Sequence, residues 1–313
     1  QPGSAVKPLI VYTSALERGY TPDTIVYDEN TEEGPSNAGN GYAGEITLRQ
    51  AVALSKNTVA SQIFAELTPK TGLDYLDQMH FTHISAKDER LAAALGGFTT
   101  GASAVEMTSA FATLENDGMF RDPTCILRIT DADGNILYEQ DREGDRVYKA
   151  NASRQMTDML ETVMESGTGQ KMALSDMPSA GKTGTTNDSK DGWFVGYTRY
   201  YTTGIWVGYD MPREMAGLSG NSYPGYIWKD FMEKIHVGKE PLDFLPYVEV
   251  PPPEEPEFTM PEIQQEEEEE RGDEEPPFWE KPLEELTPEE HQMLWEMQLQ
   301  QMQDYMNSLE GLQ

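Results

Sequence analysis

The chain has 313 residues, a formal net charge of −32 and 37% hydrophobic residues, enough for one large domain or two small ones. An excess of acid on this scale leaves no basic face to neutralise phosphate, which excludes nucleic acid as a partner. The single cysteine, Cys125, excludes an intrachain disulfide, and no apolar run reaches the ~20 residues of a membrane span. The acidity is uneven, because residues 249–313 carry 21 acidic and 2 basic residues.

In chain order, residues 1–20 read as one helix that opens after Pro2-Gly3 and ends near Gly19. Residues 21–46 are polar and rich in Gly, Asn and Asp, and read as a long surface loop. Residues 47–117 are mostly helical, with capping boxes at Thr47/Gln50 and Ser103/Glu106 and a stop at Asp117-Gly118. Between 124 and 149, two apolar runs flank Asp133-Gly134, a hairpin signal. Residues 152–166 form an amphipathic helix with Met156, Met159, Leu160, Val163 and Met164 on one side, broken by Ser166-Gly167-Thr168-Gly169. Strands are predicted at 180–186, 193–197 and 204–209, the last two antiparallel neighbours. A helix over 224–237 is expected to turn Tyr226, Ile227, Phe231 and Ile235 inward.

The composition then changes. Residues 249–286 hold Pro251-Pro252-Pro253 and a Glu266–Glu270 run, and read as a disordered acidic linker. Thr287-Pro288-Glu289-Glu290 carries a further capping box with Pro at the first helical position, opening a Met/Gln-rich helix over 287–313. Its Met293, Met297, Met302, Met306 and Leu309 stripe is either a partner-binding face or an ordinary amphipathic one. Residues 1–248 are expected to be one domain. The chain does not start with Met and its first motif begins at residue 4, so it reads as a fragment or a trimmed product.

Three short motifs carry the chemistry. Ser4-Ala5-Val6-Lys7 at a helix start places a hydroxyl and an amine one turn apart on one face. A desolvated lysine that loses its charge can take the serine proton, making a nucleophile and its base. Free N–H groups of the first turn can stabilise an oxyanion. Ser55-Lys56-Asn57 and Lys182-Thr183-Gly184 follow in that order. Each motif has a decoy: Ser179-Ala180-Gly181-Lys182, Ser219-Gly220-Asn221 and Lys70-Thr71-Gly72. Context rejects the decoys. Gly181 spoils the helical spacing of the first, the second lies in a Gly-rich loop, and the third reads as a helix–helix connection beside Pro69. His80 and His83 have a metal-like spacing, but no Cys or acidic partner completes a set, and they read as a solvated loop. The chemistry proposed needs neither a metal nor a cofactor.

With these motifs, and with Gly96-Gly97-Phe98-Thr99-Thr100-Gly101, Ser166-Gly167-Thr168-Gly169, Thr185-Thr186-Asn187-Asp188 and Lys190-Asp191-Gly192-Trp193, residues 1 to about 237 resemble the transpeptidase domain of class A, bifunctional penicillin-binding proteins. The resemblance implies an α/β (α+β) fold: an antiparallel sheet flanked by helices, plus a helical subdomain. The family sheet has five strands, of which the last three are expected here, in an N-terminally truncated domain. It implies a serine D,D-transpeptidase that cross-links peptidoglycan stem peptides ending in D-Ala-D-Ala and is acylated by β-lactams. It also implies an extracytoplasmic setting and a membrane anchor in the parent protein. Ser4 would be the nucleophile and Lys7 its base. Ser55 would relay the proton to the leaving amine, and Asn57 would hold Lys7 and the substrate amide. Lys182 and Thr185 would receive the substrate carboxylate, with Thr183 and Gly184 shaping the strand and Thr185 contributing an oxyanion N–H. Rival readings are a D,D-carboxypeptidase using the same residues, and a non-catalytic β-lactam sensor or scaffold. A β-lactamase is disfavoured, because no deacylating Glu loop is evident ahead of Lys182.

Overall fold

The computed structural model describes residues 1–249 except 32, 33, 141 and 142, together with Thr287, Glu290 and Met293. The chain divides into two units, Gln1–Pro252 and Pro253–Gln313. In the second, the Thr287 amide donates to Glu290 Oε2 (2.7 Å) and the Glu290 amide to Thr287 Oγ1 (3.3 Å), the reciprocal pair of a capping box. The predicted linker and the rest of the predicted terminal helix lie outside the described residues.

The first unit is organised by a three-stranded antiparallel sheet, β7 (Ala180–Thr185), β8 (Asp191–Tyr197) and β9 (Thr202–Gly208), in that spatial order. All seven residues of β8 are buried, so both faces of the sheet are covered. Successive side chains point to opposite faces. Trp193, Val195 and Tyr197 therefore enter the large core, whereas Phe194 meets Met164, Met172, Trp228 and Met232 on the other side. The second face is covered by α7 (Tyr223–Ile235). The first is covered by α5 (Ala104–Glu115) and α6 (Ala150–Glu165), whose Met156, Met159, Leu160 and Val163 are all buried as the periodicity requires.

The α7 register differs from expectation. Trp228 and Met232 are fully buried, whereas Tyr226, Ile227 and Phe231 are 54%, 50% and 46% exposed. Only Ile235 of the four expected residues packs on the core. Both faces of this helix are apolar, so periodicity alone does not choose between them. The Trp228 ring decides by packing at a tilt against Phe194 (ring centroids 4.9 Å apart) and donating its indole N–H to the Gly196 carbonyl (3.2 Å).

The large core surrounds the N-terminal helical segment. That segment is a 3₁₀ turn at Gly3–Val6, a π turn at Pro8–Tyr12 and a short helix, α1 (Thr13–Leu16). The expected single helix is thus present but not regular. Pro8 has no N–H to donate, and the Thr13 amide and hydroxyl both donate to the Pro8 carbonyl, which sets the wide π turn. Residues 5, 6, 9–12, 15 and 16 are buried.

The stretch from 21 to 46 is not simply a loop. Ile25–Asp28 (β1) pairs antiparallel with Gly44–Thr47 (β2). It leads through the Thr47 capping box into α2 (Leu48–Ala53), then α3 (Asn57–Leu67) and α4 (Pro69–Gln78). Lys70-Thr71-Gly72 lies in the first turn of α4, capped by Thr68, rather than in a connection. Two small ribbons complete the unit. Met119–Phe120 (β3) pairs with Asp145–Arg146 (β6), and the predicted hairpin is Arg128–Thr130 (β4) with Ile136–Glu139 (β5).

Candidate active site

The N-terminal segment Gly3–Val6 lies directly against β7. At Gly184 a side chain is impossible, because a Cβ would stand 2.3 Å from the Pro2 carbonyl oxygen and 2.9 Å from Ala5 Cβ. The glycine was expected to shape the strand. In the structure it admits the N-terminal segment at Pro2 and Ala5, which sets Ser4 beside the strand. Side chains at i and i+3 of a 3₁₀ turn eclipse, so Ser4 and Lys7 share one edge of it. The Ser4 hydroxyl is partly exposed and has no hydrogen-bond partner among the described residues.

Lys7 is completely buried, and its three N–H donors are all used: Ser55 O (2.8 Å), Lys56 O (3.2 Å) and Asn57 Oδ1 (2.7 Å). Burial, and then the charge of Lys182, push its pKa well below that of a free lysine. Lys182 is also buried. Its ammonium donates to Ser55 Oγ (2.8 Å) and to Thr183 O (3.2 Å), and burial lowers its pKa to about 7. Ser55 therefore bridges the two amines, offering its carbonyl to one and its hydroxyl to the other.

The backbone at Ser55 makes this bridge possible. The sequence suggests mid-helix positions for Ser55 and Asn57. The structure instead ends α2 before Ser55 and begins α3 at Asn57. The Ser55 amide donates to Val52 O and the Lys56 amide to Ala51 O, and Ser55 has φ of +55°. This is a Schellman end with serine in the left-handed position usually given to glycine. It turns two consecutive carbonyls, those of Ser55 and Lys56, toward the Lys7 amine. A non-glycine residue held at positive φ costs on the order of 1 kcal/mol and persists where surrounding structure enforces it.

The outer edge of β7 presents its two threonines. Thr183 is buried and its hydroxyl lies 2.8 Å from that of Thr168. Thr168 belongs to the Ser-Gly-Thr-Gly loop, whose Thr168 amide is anchored on the Ala53 carbonyl (3.0 Å). Thr185 is exposed, and its hydroxyl accepts from the Gly220 amide (3.0 Å). The decoy segment Ser219-Gly220-Asn221 thus borders the site through its Gly220 amide.

Sequence reading did not find Asp28, Asn37 and Thr58. The Asp28 carboxylate is fully buried behind the Ser55–Asn57 turn, and Asn37 reaches the same turn from the loop between β1 and β2. The signal available was slight: Asp28 ends a short apolar run, Ile25-Val26-Tyr27. The two histidines stay outside the site; His80 pairs with Asp122 at 2.7 Å and stands edge-on to Phe120. Among the described residues no group of three or more His, Cys, Asp or Glu side chains could hold a metal ion.

Residues 1–233 match the model of the penicillin-binding protein transpeptidase domain. The chain belongs to that family. Among its relatives, penicillin-binding protein 4 of Bacillus subtilis is 34% identical over 237 residues, 74% of this chain and 38% of the relative. Penicillin-binding protein 1F of the same organism is 37% identical, over 74% of this chain and 34% of the relative. Penicillin-binding protein 1A of Aquifex aeolicus is 34% identical, over 75% and 33%. The chain thus spans about a third of the length of these curated relatives. The solved structure of PonA1 from Mycobacterium tuberculosis in complex with penicillin V is 25% identical and superposes with a TM-score of 0.70, covering 80% of this chain and 73% of that one. The mixed helical and antiparallel-sheet architecture is therefore the penicillin-binding transpeptidase fold, as the motifs implied.

Proposed function

We propose that this domain is a D,D-transpeptidase working through an acyl-enzyme on Ser4, and that β-lactams acylate the same oxygen. One observation carries the reading: a buried lysine of lowered pKa, one turn from a free serine hydroxyl, bridged through Ser55 to a second buried lysine. With Lys7 neutral, one of its three hydrogen bonds is given up and its lone pair can accept the Ser4 proton. Ser4 Oγ then bonds to the carbonyl carbon between the two terminal D-alanines, and the developing oxyanion takes N–H bonds from the helix start and from Thr185. The C–N bond breaks as the Ser55 hydroxyl hands a proton to the leaving amine and is itself resupplied from the lysine pair. An amine of a second stem peptide displaces Ser4 in the reverse sense.

The substrate carboxylate would lie over the hydroxyls of Thr183 and Thr185. Lys182, engaged with Ser55 behind the strand, would act on it through its charge, and Gly184 would keep the strand and Ser4 in register. Asn57 would hold Lys7 and the substrate amide. The parent protein is proposed to be bifunctional and membrane-anchored outside the cytoplasm. No helix among the described residues is long and apolar enough to cross a membrane.

Labelling with a fluorescent penicillin, followed by peptide mapping, tests the site. The label is expected on Ser4, absent in Ser4→Ala and slowed by roughly 10²–10⁴-fold in Lys7→Ala. Label at Ser55 or Ser179 in the Ser4→Ala protein would overturn the assignment. Incubation with a stem-peptide donor and an amine acceptor reads the reaction itself; release of D-Ala without cross-linked product would make it a carboxypeptidase.

A further inference from the structure

Behind the Ser55–Asn57 turn lies a buried carboxylate that the proposed chemistry does not use. Asp28, the last residue of β1, has no solvent exposure. It accepts from Thr58 Oγ1 (2.5 Å), Asn37 Nδ2 (2.5 Å) and the Ala43 amide (2.8 Å), and pairs with Lys56 Nζ at 2.7 Å. Burial would raise its pKa, but these four partners outweigh burial and hold it at about 2.

Three of the partners belong to, or directly grip, the turn that holds Lys7. Lys56 contributes one of the carbonyls on Lys7 Nζ, and Thr58 follows Asn57 in the first turn of α3. Asn37 is held by Asp28 through its Nδ2. With its Oδ1 it takes the Asn57 amide (2.7 Å) and the Thr58 amide (3.4 Å). The Asn57 side chain is fixed at both ends, its Nδ2 on Ser36 O (2.9 Å) and its Oδ1 on Lys7 Nζ (2.7 Å). A continuous series therefore runs from Asp28 through Asn37 and Asn57 to the amine. It starts in a hairpin that otherwise stands outside the site.

We infer that Asp28 and Asn37 are positioning residues for acylation, setting through the Ser55–Asn57 turn where the Lys7 amine points. The inference rests on the transpeptidase reading above. Neither residue touches the nucleophile, so neither is catalytic. The turn needs such a fastening for a physical reason. Ser55 is held in a left-handed conformation that serine does not favour, and a lysine with four rotatable bonds must present a lone pair to one oxygen. A general base that is out of place by about an ångström loses up to about 10²-fold in rate. A short hairpin locked by a buried ion pair and three hydrogen bonds supplies a rigid reference for both.

The test is stopped-flow acylation of the full chain by a fluorescent penicillin, with burst amplitude, acylation rate constant and reversible affinity read separately. Thermal melts are recorded on the same samples. Asp28→Asn and Asn37→Ala are each expected to lower the acylation rate constant about 10–100-fold, with reversible affinity unchanged within about threefold. Misfolding lowers the amplitude, whereas misplacement lowers the rate constant of the molecules that remain folded. In an Asn57→Ala background, Asn37→Ala is expected to lose part of its effect, because one of the three Lys7 contacts on the turn it grips is already gone.

Wild-type labelling at Ser4, with variant rate constants within threefold of wild type, would overturn the inference alone. Absence of wild-type labelling would overturn the transpeptidase reading, and the inference with it. Loss of a cooperative melt in both single variants, or full additivity in the double variant, would make the knot a structural fastening and remove it from the chemistry.

Discussion

Lys7 and Lys182 are two buried amines serving one hydroxyl-bearing turn, and their charges oppose each other. Lys182 lowers the pKa of Lys7, so taking away its charge must raise it. In Lys182→Met the rise of the acylation rate with pH is predicted to begin at higher pH than in wild type, besides any loss of maximal rate. No displacement, or one to lower pH, would show that the two amines are not coupled. The limbs in wild type belong to the pair rather than to either residue. The same shift bears on stability. The pKa of Lys182 is depressed in the fold to about 7, so above that value the folded state holds fewer protons than the unfolded chain. Its contribution to stability therefore rises with pH from about 7 toward the free-lysine value. The advantage in melting temperature of Lys182→Met over wild type is expected to shrink between about pH 7 and about pH 9; a gap that widens would refute the assignment. At this scale Ser4, Lys7, Ser55, Asn57 and Lys182 were legible, because their spacing is itself the signal. Asp28 and Asn37 were not, because a hydrogen-bond network assembled by a hairpin has no spacing to read.

Most secondary elements were legible in outline, since capping boxes and apolar periodicity are local. Thr47/Gln50 and Ser103/Glu106 each cap the helix they were expected to cap. Two of the misread elements failed for different reasons. The β1–β2 hairpin was hidden because its strands are only four residues long and the stretch joining them is long, polar and rich in Gly and Asn. The orientation of α7 was ambiguous because it has two apolar faces, and only contact with Phe194 selects one. That selection gives a direct test by denaturant unfolding. Trp228→Ala is predicted to cost about 3–5 kcal/mol, the usual loss for a fully buried aromatic. Phe231→Ser on the exposed face should fall within about 0.5 kcal/mol. Comparable losses at both positions would mean that the outer face is covered in solution.

At the scale of the molecule, β9 is one edge of the sheet and α7 leaves Tyr223, Tyr226, Ile227 and Phe231 about half exposed beside it. An open edge next to an apolar face is an aggregation hazard unless something covers it. The acidic stretch after Val248 is proposed to act as a self-repelling spacer, with the helix predicted over 287–313 recruiting a partner or self-associating through its Met/Leu stripe. Exposed charges act over only about 8 Å in ~0.15 M salt, and every residue of the candidate site precedes position 221. A chain ending at Val250 is therefore predicted to acylate at the full-length rate in stopped flow. A tenfold or larger fall would place the acidic stretch against the catalytic unit and end the spacer proposal.

By itself the sequence determined the family, the order of the three motifs, the strands around Lys182 and the helix that presents Ser4. The family rests on the resemblance of the motifs taken together, and the rest on local spacing, capping and apolar strand runs. Only the tertiary structure decided what the motifs do to one another. It ended α2 in a left-handed serine, aimed two carbonyls at Lys7, carried Lys182 across to Ser55 and placed Asp28 behind the turn. Apart from the local end of α2, these are contacts between residues tens to more than a hundred positions apart. Their strength comes from shared burial, where desolvation moves a lysine pKa and leaves each polar atom dependent on its partner.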